Sequence, residues 1–271
     1  MLKLSVTIIT KNEERNIGRC IDSVNAIADE IIVVDSFSSD GTVKIALQKG
    51  AIVKQEIFRG YKEQKNLALQ FASHDFIFSL DADEMPDQGL IGSILDIKKE
   101  HTAKCYSANR LTYFCGKPIK HGLWYPDKKL RLFDRRVAIW GGINPHDKVI
   151  LMKPCPTEHL RGNILHYSYT SIRQCKQKCD YLTSVYAHSL HKMGKKSNLF
   201  KIIMNPVWEF FHGYILRLGF LDGYYGLIVS VNTVRYTFIK HFKLYQLQKE
   251  KFVLQRAKSE KIRKTKVGTQ Y

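Results

Sequence analysis

Residues 81 to 84 read Asp-Ala-Asp-Glu and follow directly on an apolar run, Phe76-Ile77-Phe78-Ser79-Leu80. Carboxylates this close repel one another unless they stand at a surface or around a cation. Asp-x-Asp at the end of a buried strand supplies hard oxygen ligands. Mg²⁺ in particular takes one or two protein carboxylates and completes its shell with water and substrate phosphates. A divalent ion, Mg²⁺ or Mn²⁺, on Asp83 and Asp81 would stabilise a departing diphosphate as a Lewis acid. The competing readings are a solvated turn, or Asp83 or Glu84 capping a helix after Pro86. An EF-hand fits poorly, because its spaced oxygen ligands and central glycine are missing.

The elements that must position these carboxylates alternate. LSVTIIT (4–10), EIIVVDS (30–36), AIVKQE (51–56) and DFIFSLD (75–81) have the apolar, partly β-branched character of strands buried on both faces. Between them lie helical patterns: Ile17, Ile21, Val24 and Ile27; a stretch capped by Ser39 or Asp40 and ending near Gly50; and Tyr61 to Ala72. Strict alternation predicts an α/β fold with a parallel sheet and right-handed crossovers. Ligands in such folds bind outside the carboxyl ends of the strands. Thr10 through Glu14, Asp35-Ser36 and Asp81-Ala82-Asp83 all fall at that edge. Neither GxGxxG nor GxxxxGK[ST] follows the first strand, so a dinucleotide site or a P-loop is not expected. Phosphate here needs a metal rather than a glycine cradle.

Charge is divided unevenly. The first hundred residues carry 16 acidic and 12 basic side chains; the rest of the chain carries 9 acidic and 31 basic, within a total of +18. The basic part calls for an anionic partner: nucleic acid, an anionic membrane or a phosphorylated substrate. Six cysteines form no CxxC pair. They read as reduced, mostly buried thiols, with no structural zinc expected. No signal peptide is expected, since Met1-Leu2-Lys3 leads straight into a strand.

The segments VTIITKNEERNIGRCIDSV, IIVVDSFSSDGTV, KEQKNLAL and FIFSLDADE together resemble the nucleotide-sugar-binding half of family 2 glycosyltransferases. The resemblance implies a GT-A fold, a Rossmann-like α/β domain with a mostly parallel sheet. It implies that Thr10 and Glu14 lie against the nucleotide, that Asp35 bonds the uracil and that Lys65 lies near the nucleotide. Asp81 would contact the ribose, and Asp83 would hold the metal bridging both phosphates. Inverting transfer also needs a base for the acceptor hydroxyl, most often a carboxylate. Arg131-Leu132-Phe133, Trp140-Gly141-Gly142 and His146-Asp147 resemble a segment of the branch that glucosylates lipopolysaccharide inner-core heptose, with Asp where that pattern usually has Glu. Asp147 is the expected base. His146 could instead orient the acceptor or act as base, and Asp134 ranks third. Trp140, Trp124 and Tyr125 offer faces for sugar rings, and His166 could complete the metal site.

From Tyr167 the pattern turns helical and basic. Residues 205–242 are rich in Trp, Phe, Tyr, Leu and Ile, but Arg217, Asp222 and Arg235 interrupt them. That suits helices lying in a membrane interface better than a span. The last 32 residues hold ten basic and two acidic side chains. The arrangement PxWxFF…GFLDGYYG is similar to the tail of the same branch. Three regions are expected: 1–100 binding the nucleotide sugar, 101–170 binding the acceptor, and 171–271 a helical, membrane-peripheral end. The resemblance implies a UDP-sugar donor, with glucose foremost, a lipid A–Kdo–heptose acceptor, and a cytoplasmic protein peripheral on the inner membrane. A basic nucleic-acid-binding protein is the alternative, weakened by the absence of any RRM, helix-turn-helix, zinc-finger or KH pattern. Transfer to another envelope glycan or to a protein, and a nucleotidyltransferase, are further alternatives. The last usually carries a Gly/Arg/Lys-rich loop where this chain has Lys11-Asn12-Glu13-Glu14.

Overall fold

The computed structural model describes residues 2–100 and 104–267, with side chains through residue 250. The basic side chains of 251–271 therefore lie outside the described residues. Strands β1 (Leu4–Thr10), β2 (Glu30–Asp35), β3 (Ile52–Gln55) and β4 (Phe76–Asp81) pair in parallel in the order β3-β2-β1-β4. Helices α1 (Ile17–Val24), α2 (Thr42–Gln48) and α3 (Tyr61–Phe71) make the crossovers. One sheet face packs Leu4, Val6, Ile8, Phe76, Phe78 and Leu80 against Ile17, Cys20, Ile21 and Val24 of α1. That spacing on α1 is one helical stripe. The other face sets Ile32 and Val34 against Ala68 of α3. Burying each of these Val, Leu, Ile and Phe side chains stabilises the fold by roughly 1.5–3 kcal/mol. At the start of α2 the N-cap position falls on Gly41, one residue after the expected Ser39 or Asp40, and Asp40 Oδ1 accepts from Thr42 N at 3.0 Å.

The chain after β4 makes neither a solvated turn nor a helix cap of Asp83 or Glu84. It forms a short strand, β5 (Glu84–Pro86), which pairs antiparallel with β11 (Thr157–Tyr169). Helix α4 (Gln88–Glu100) follows, and Asp87 Oδ1 accepts from Leu90 N at its start. The sheet continues beyond β4 through β8 (Lys128–Asp134), β6 (Cys105–Phe114), β11 and β5; β7 (Lys117–Pro118) pairs with β6. Of these later pairings β6–β11 is parallel and the others are antiparallel. β9 (Ala138–Ile143) and β10 (His146–Leu151) form a separate hairpin.

The expected helix from Tyr167 begins later, because β11 runs through Tyr169. Ser171 Oγ then accepts from Gln174 N and opens α5 (Ile172–Lys192). Next come α6 (Leu199–Phe210), a π-helical turn (Phe211–Leu216), a 3-10 turn (Gly219–Asp222) and the long α7 (Gly223–Val267), which packs on both α5 and α6. α6 buries Ile202 and Pro206 and exposes Phe200, Ile203, Val207 and Trp208, and Phe211 at the start of the π-helical turn continues this outward apolar stripe. Among the described residues no helix is long and apolar enough to cross a membrane.

Candidate active site

Register alone brings the strand-end residues together. Thr10 lies opposite Asp35, and Ile9 opposite Asp81. Asp35 is fully buried; its Oδ2 accepts from Ser38 N at 2.9 Å and Gln55 Nε2 at 3.1 Å. Thr10 is buried beside it, and its hydroxyl has no hydrogen-bond partner among the described residues. Glu14 turns to the loop before α2, where its Oε2 accepts from Gly41 N at 3.0 Å. The preceding residue, Glu13, is the one in the field of Asp83. Burial and then the Asp83 charge push its carboxyl up.

Helix α3 carries the link to the second half. Lys65 Nζ lies 3.0 Å from Asp81 Oδ1 and 2.8 Å from Asp147 Oδ2, so one buried ammonium bridges both carboxylates. The indole of Trp140 lies 4.4 Å below it. α3 also grips the hairpin that bears Asp147. Asn66 exchanges hydrogen bonds with the Trp140 backbone at 2.8 and 3.0 Å. Asn144 Oδ1 accepts from Lys62 N, and its Nδ2 donates to Glu63 Oε2. Gly142 stands opposite Asp147 at φ +83°, and a Cβ there would meet the His146 carbonyl at 3.0 Å. Burial alone would raise the Asp81 carboxyl. The Lys65 and Arg131 charges outweigh it and hold the group well below the usual carboxylate range.

Beneath Asp81 sits an ion cluster that sequence reasoning missed. Glu84, with a fully buried side chain, accepts from Arg131 Nη2 at 3.0 Å and Arg110 Nη1 at 3.3 Å, and its Oε2 accepts from the Asp81 backbone N. Arg110 is also paired with Asp127 at 2.8 Å. The only sequence signal was the position of Glu84, three residues after Asp81.

β5 pairs with β11 so that His166 lies opposite Glu84, and Tyr167 N donates to the Asp83 carbonyl. This pairing sets His166 Nε2 3.4 Å from Asp83 Oδ2. Lys178 of α5 reaches the same oxygen, with Nζ 3.7 Å away. Burial would raise the Asp83 carboxyl, but His166 and then Lys178 outweigh it and hold it at about 2. Among the described residues no three His, Cys, Asp or Glu side chains group as metal ligands. The ionised Asp83 carboxylate fits Mg²⁺ or Mn²⁺, which fill their shells from water and phosphate, and the facing imidazole is a further donor better suited to Mn²⁺ than to Mg²⁺. Asp83 and His166 would hold such an ion, with Asp81 beside them.

His146 lies at the rim, its Nε2 2.8 Å from Tyr236 Oη and its ring 4.5 Å from that of Tyr186. Burial of the ring, then Lys240 and Lys129, lower its imidazole below the ordinary value. Asp134 is at the wrong edge. β8 runs antiparallel to β4, so Asp134 pairs with Phe76, at the strand end opposite Asp81, and it is bound to Arg136. The aromatic faces are taken up too. Trp140 is 3% exposed under Lys65 and Arg131, and Trp124 packs on Phe114 and Tyr169. Tyr125 donates its hydroxyl to Asn163.

The chain is 35% identical over 257 residues to an uncharacterized glycosyltransferase of Rickettsia typhi, covering 91% of this chain and 88% of the relative. It is 28% identical over 265 residues to the lipopolysaccharide core biosynthesis glycosyltransferase LpsC of Rhizobium meliloti, covering 90% and 93%. A crystal structure of glucosyl-3-phosphoglycerate synthase from Mycobacterium tuberculosis, in complex with Mn²⁺ and UDP-glucose, overlaps 41% of this chain and 44% of that one, with TM-score 0.35 and 24% identity. Residues 5–153 match the family Glycosyl transferase family 2. A match over more than half of the chain, with relatives alike along nearly all of it, means that this protein belongs to glycosyl transferase family 2.

Proposed function

We propose that this glycosyltransferase is a divalent-metal-dependent, inverting enzyme that moves a hexose, glucose foremost, from a UDP-sugar to a heptose of the lipopolysaccharide or lipooligosaccharide inner core. The observation that carries the reading is the Asp81–Lys65–Asp147 bridge beside Asp83 and His166 at the carboxyl edge of the sheet. In this reading residues 1–100 bind the donor. Thr10, Glu14 and Asp35 enclose the nucleoside, while Lys65 and Asp81 meet the ribose and phosphates. The metal supplies charge neutralisation for the diphosphate. Residues 101–170 bind the acceptor and present Asp147 and His146. Asp147 takes the hydroxyl proton as the acceptor oxygen bonds to the anomeric carbon. The bond from that carbon to the β-phosphate oxygen breaks, leaving its electron pair on UDP. The likeness to LpsC supports a lipopolysaccharide acceptor.

A thermal-shift titration with UDP, UDP-glucose, UDP-galactose, ADP and GDP, each with and without Mn²⁺, tests the donor site. Stabilisation confined to uridine nucleotides and increased by Mn²⁺ is expected, about 2.7 kcal/mol at 100 times Kd. Asp83→Asn should remove the Mn²⁺ increment, with at least a roughly tenfold loss of affinity in its presence. An unchanged Mn²⁺ effect in that variant would remove Asp83 from the metal site.

Residues 171–271 would dock the enzyme on the cytoplasmic face of the inner membrane. The outward apolar stripe of α6, with Lys195, Lys196, Lys201 and Arg217 around it, has the composition of an interfacial helix. Each basic residue near an anionic surface adds about 1 kcal/mol. The protein should sediment with anionic vesicles and much less with neutral ones, and Phe200→Ser with Trp208→Ser should release it. Retention of the double variant on anionic vesicles at the native level would show that the stripe is not the docking face. Nucleic acid is disfavoured as a partner by the carboxylates along the sheet rim.

A further inference from the structure

Helix α5 lies across the mouth of the site. Near its start Lys178 meets Asp83, and Tyr186, eight residues on, meets His146. At 1.5 Å per residue those contacts are about 12 Å apart along the axis, so one helix reaches both the metal side and the acceptor side. Among the described residues Lys178 is the one basic residue of α5 that makes an ion pair. Its ammonium also donates to the Ser168 carbonyl at 3.0 Å and lies 5.5 Å from the Tyr169 ring centre, and the side chain is about one-third exposed. A lysine at 3.7 Å from a carboxylate is not locked by close contact. It keeps free donors and a flexible stem.

The carboxylates beside it need positive charge from elsewhere. Glu13 and Asp83 lie in each other's field, and His166 is the other partner of Asp83. A diphosphate entering with a metal would satisfy Asp83 through the metal. The ammonium of Lys178 would then be released toward the phosphates. We propose that Lys178 is a diphosphate-binding residue of the donor site: the counter-ion of Asp83 before the donor binds, and the ligand of the β-phosphate afterwards. This rests on the UDP-sugar reading above. In the transfer step, Lys178 neutralises the charge that the β-phosphate oxygen gains as its bond to the anomeric carbon breaks. The proton of the acceptor hydroxyl goes to Asp147, so Lys178 gives up no proton. The helical region thereby completes the donor site as well as following it in the chain.

Equilibrium binding of UDP and uridine to the full chain, its Lys178→Gln variant and its Lys178→Arg variant, in EDTA and in Mn²⁺, tests this. Gln can still donate to Ser168, and Arg keeps the charge. The expected result for Lys178→Gln is a loss of UDP affinity of about tenfold or more, as for a charged hydrogen bond to phosphate. Its uridine affinity should stay at the native value, because the nucleoside end of the site does not depend on this charge. Lys178→Arg should recover most of the loss. UDP affinity unchanged in Lys178→Gln, or an equal loss for uridine, would overturn the inference alone. A native chain that binds no UDP in either condition would overturn the donor reading and this inference with it.

Discussion

Asp147→Asn should lower sugar transfer by about 10²- to 10⁴-fold, the range general-base removal produces, while UDP binding stays close to native. The side chain is 6% exposed and its Oδ2 lies 2.8 Å from Lys65 Nζ. Asparagine has nearly the same shape, and its carbonyl oxygen can accept from the same ammonium. It cannot take a proton. The fold, the Lys65 bridge to Asp81 and the nucleotide edge should therefore persist, and the loss should fall on the chemical step. Single-turnover transfer measured beside equilibrium UDP binding separates the two. Asp147→Glu keeps the carboxylate with a longer reach and should retain more activity than Asn. Transfer at the native rate in Asp147→Asn would exclude Asp147 as the base and turn attention to His146, whose ring is less basic than usual among Tyr186, Tyr236 and the nearby lysines.

Glu84→Ala should cost about 3–5 kcal/mol of stability, because removing one partner of a buried ion pair strands the other charge. The group left short is Arg131, 3% exposed: among the described residues its Nε and Nη1 have no hydrogen-bond partner, and its remaining ion pair is the longer one to Asp81, 3.5 Å from Nη2. Arg110 retains Asp127 and is affected less. The variant also loses the acceptor for the Asp81 backbone N. UDP affinity should fall along with stability, since Asp81 then loses the Glu84 contact at its backbone N and keeps only Lys65 and the longer Arg131 contact. Urea unfolding of Glu84→Leu, Arg131→Met and the double variant Glu84→Leu/Arg131→Met, beside Glu84→Ala, reads the coupling. The double variant should recover much of the loss, because an apolar pair of similar volume can replace a buried ion pair. A cost below about 1 kcal/mol for Glu84→Ala would mean that the cluster behaves like an exposed pair, with water reaching Arg131.

Local pattern carried a good deal. The spacing of Ile17, Ile21 and Val24 encodes the buried stripe of α1, and the apolar runs ending at Thr10, Asp35 and Asp81 encode parallel strands with polar carboxyl ends. Periodicity reports which face is buried because burial repeats with the geometry of the element itself. Motif order identified the glycosyltransferase family for the same reason: the motifs lie on those local elements. The apolar content of α6 was also legible, though which face it would turn outward was not.

The assembly of the site depended on contacts between distant segments, which no local period records. Asp134 and Asp147 are both acids in the same stretch, and strand direction separates them. Antiparallel pairing of β8 with β4 sends Asp134 to the far edge, while the β9–β10 hairpin, held by Asn66 and Asn144, brings Asp147 to Lys65. Glu13 and Glu14 are neighbours, and the turn at Asn12, φ 54°, precedes the pair that sends one toward Asp83 and the other toward α2. Lys178 looked like one more charge on a basic helix until β11 and α5 placed it at Asp83. Sequence alone determined the element types, the carboxylate-rich strand edge and the family, because each is written in residues close together in the chain. Tertiary structure alone decided which charges meet, because pair energies depend on distance and burial, and those are set by strand register and helix packing across the whole fold.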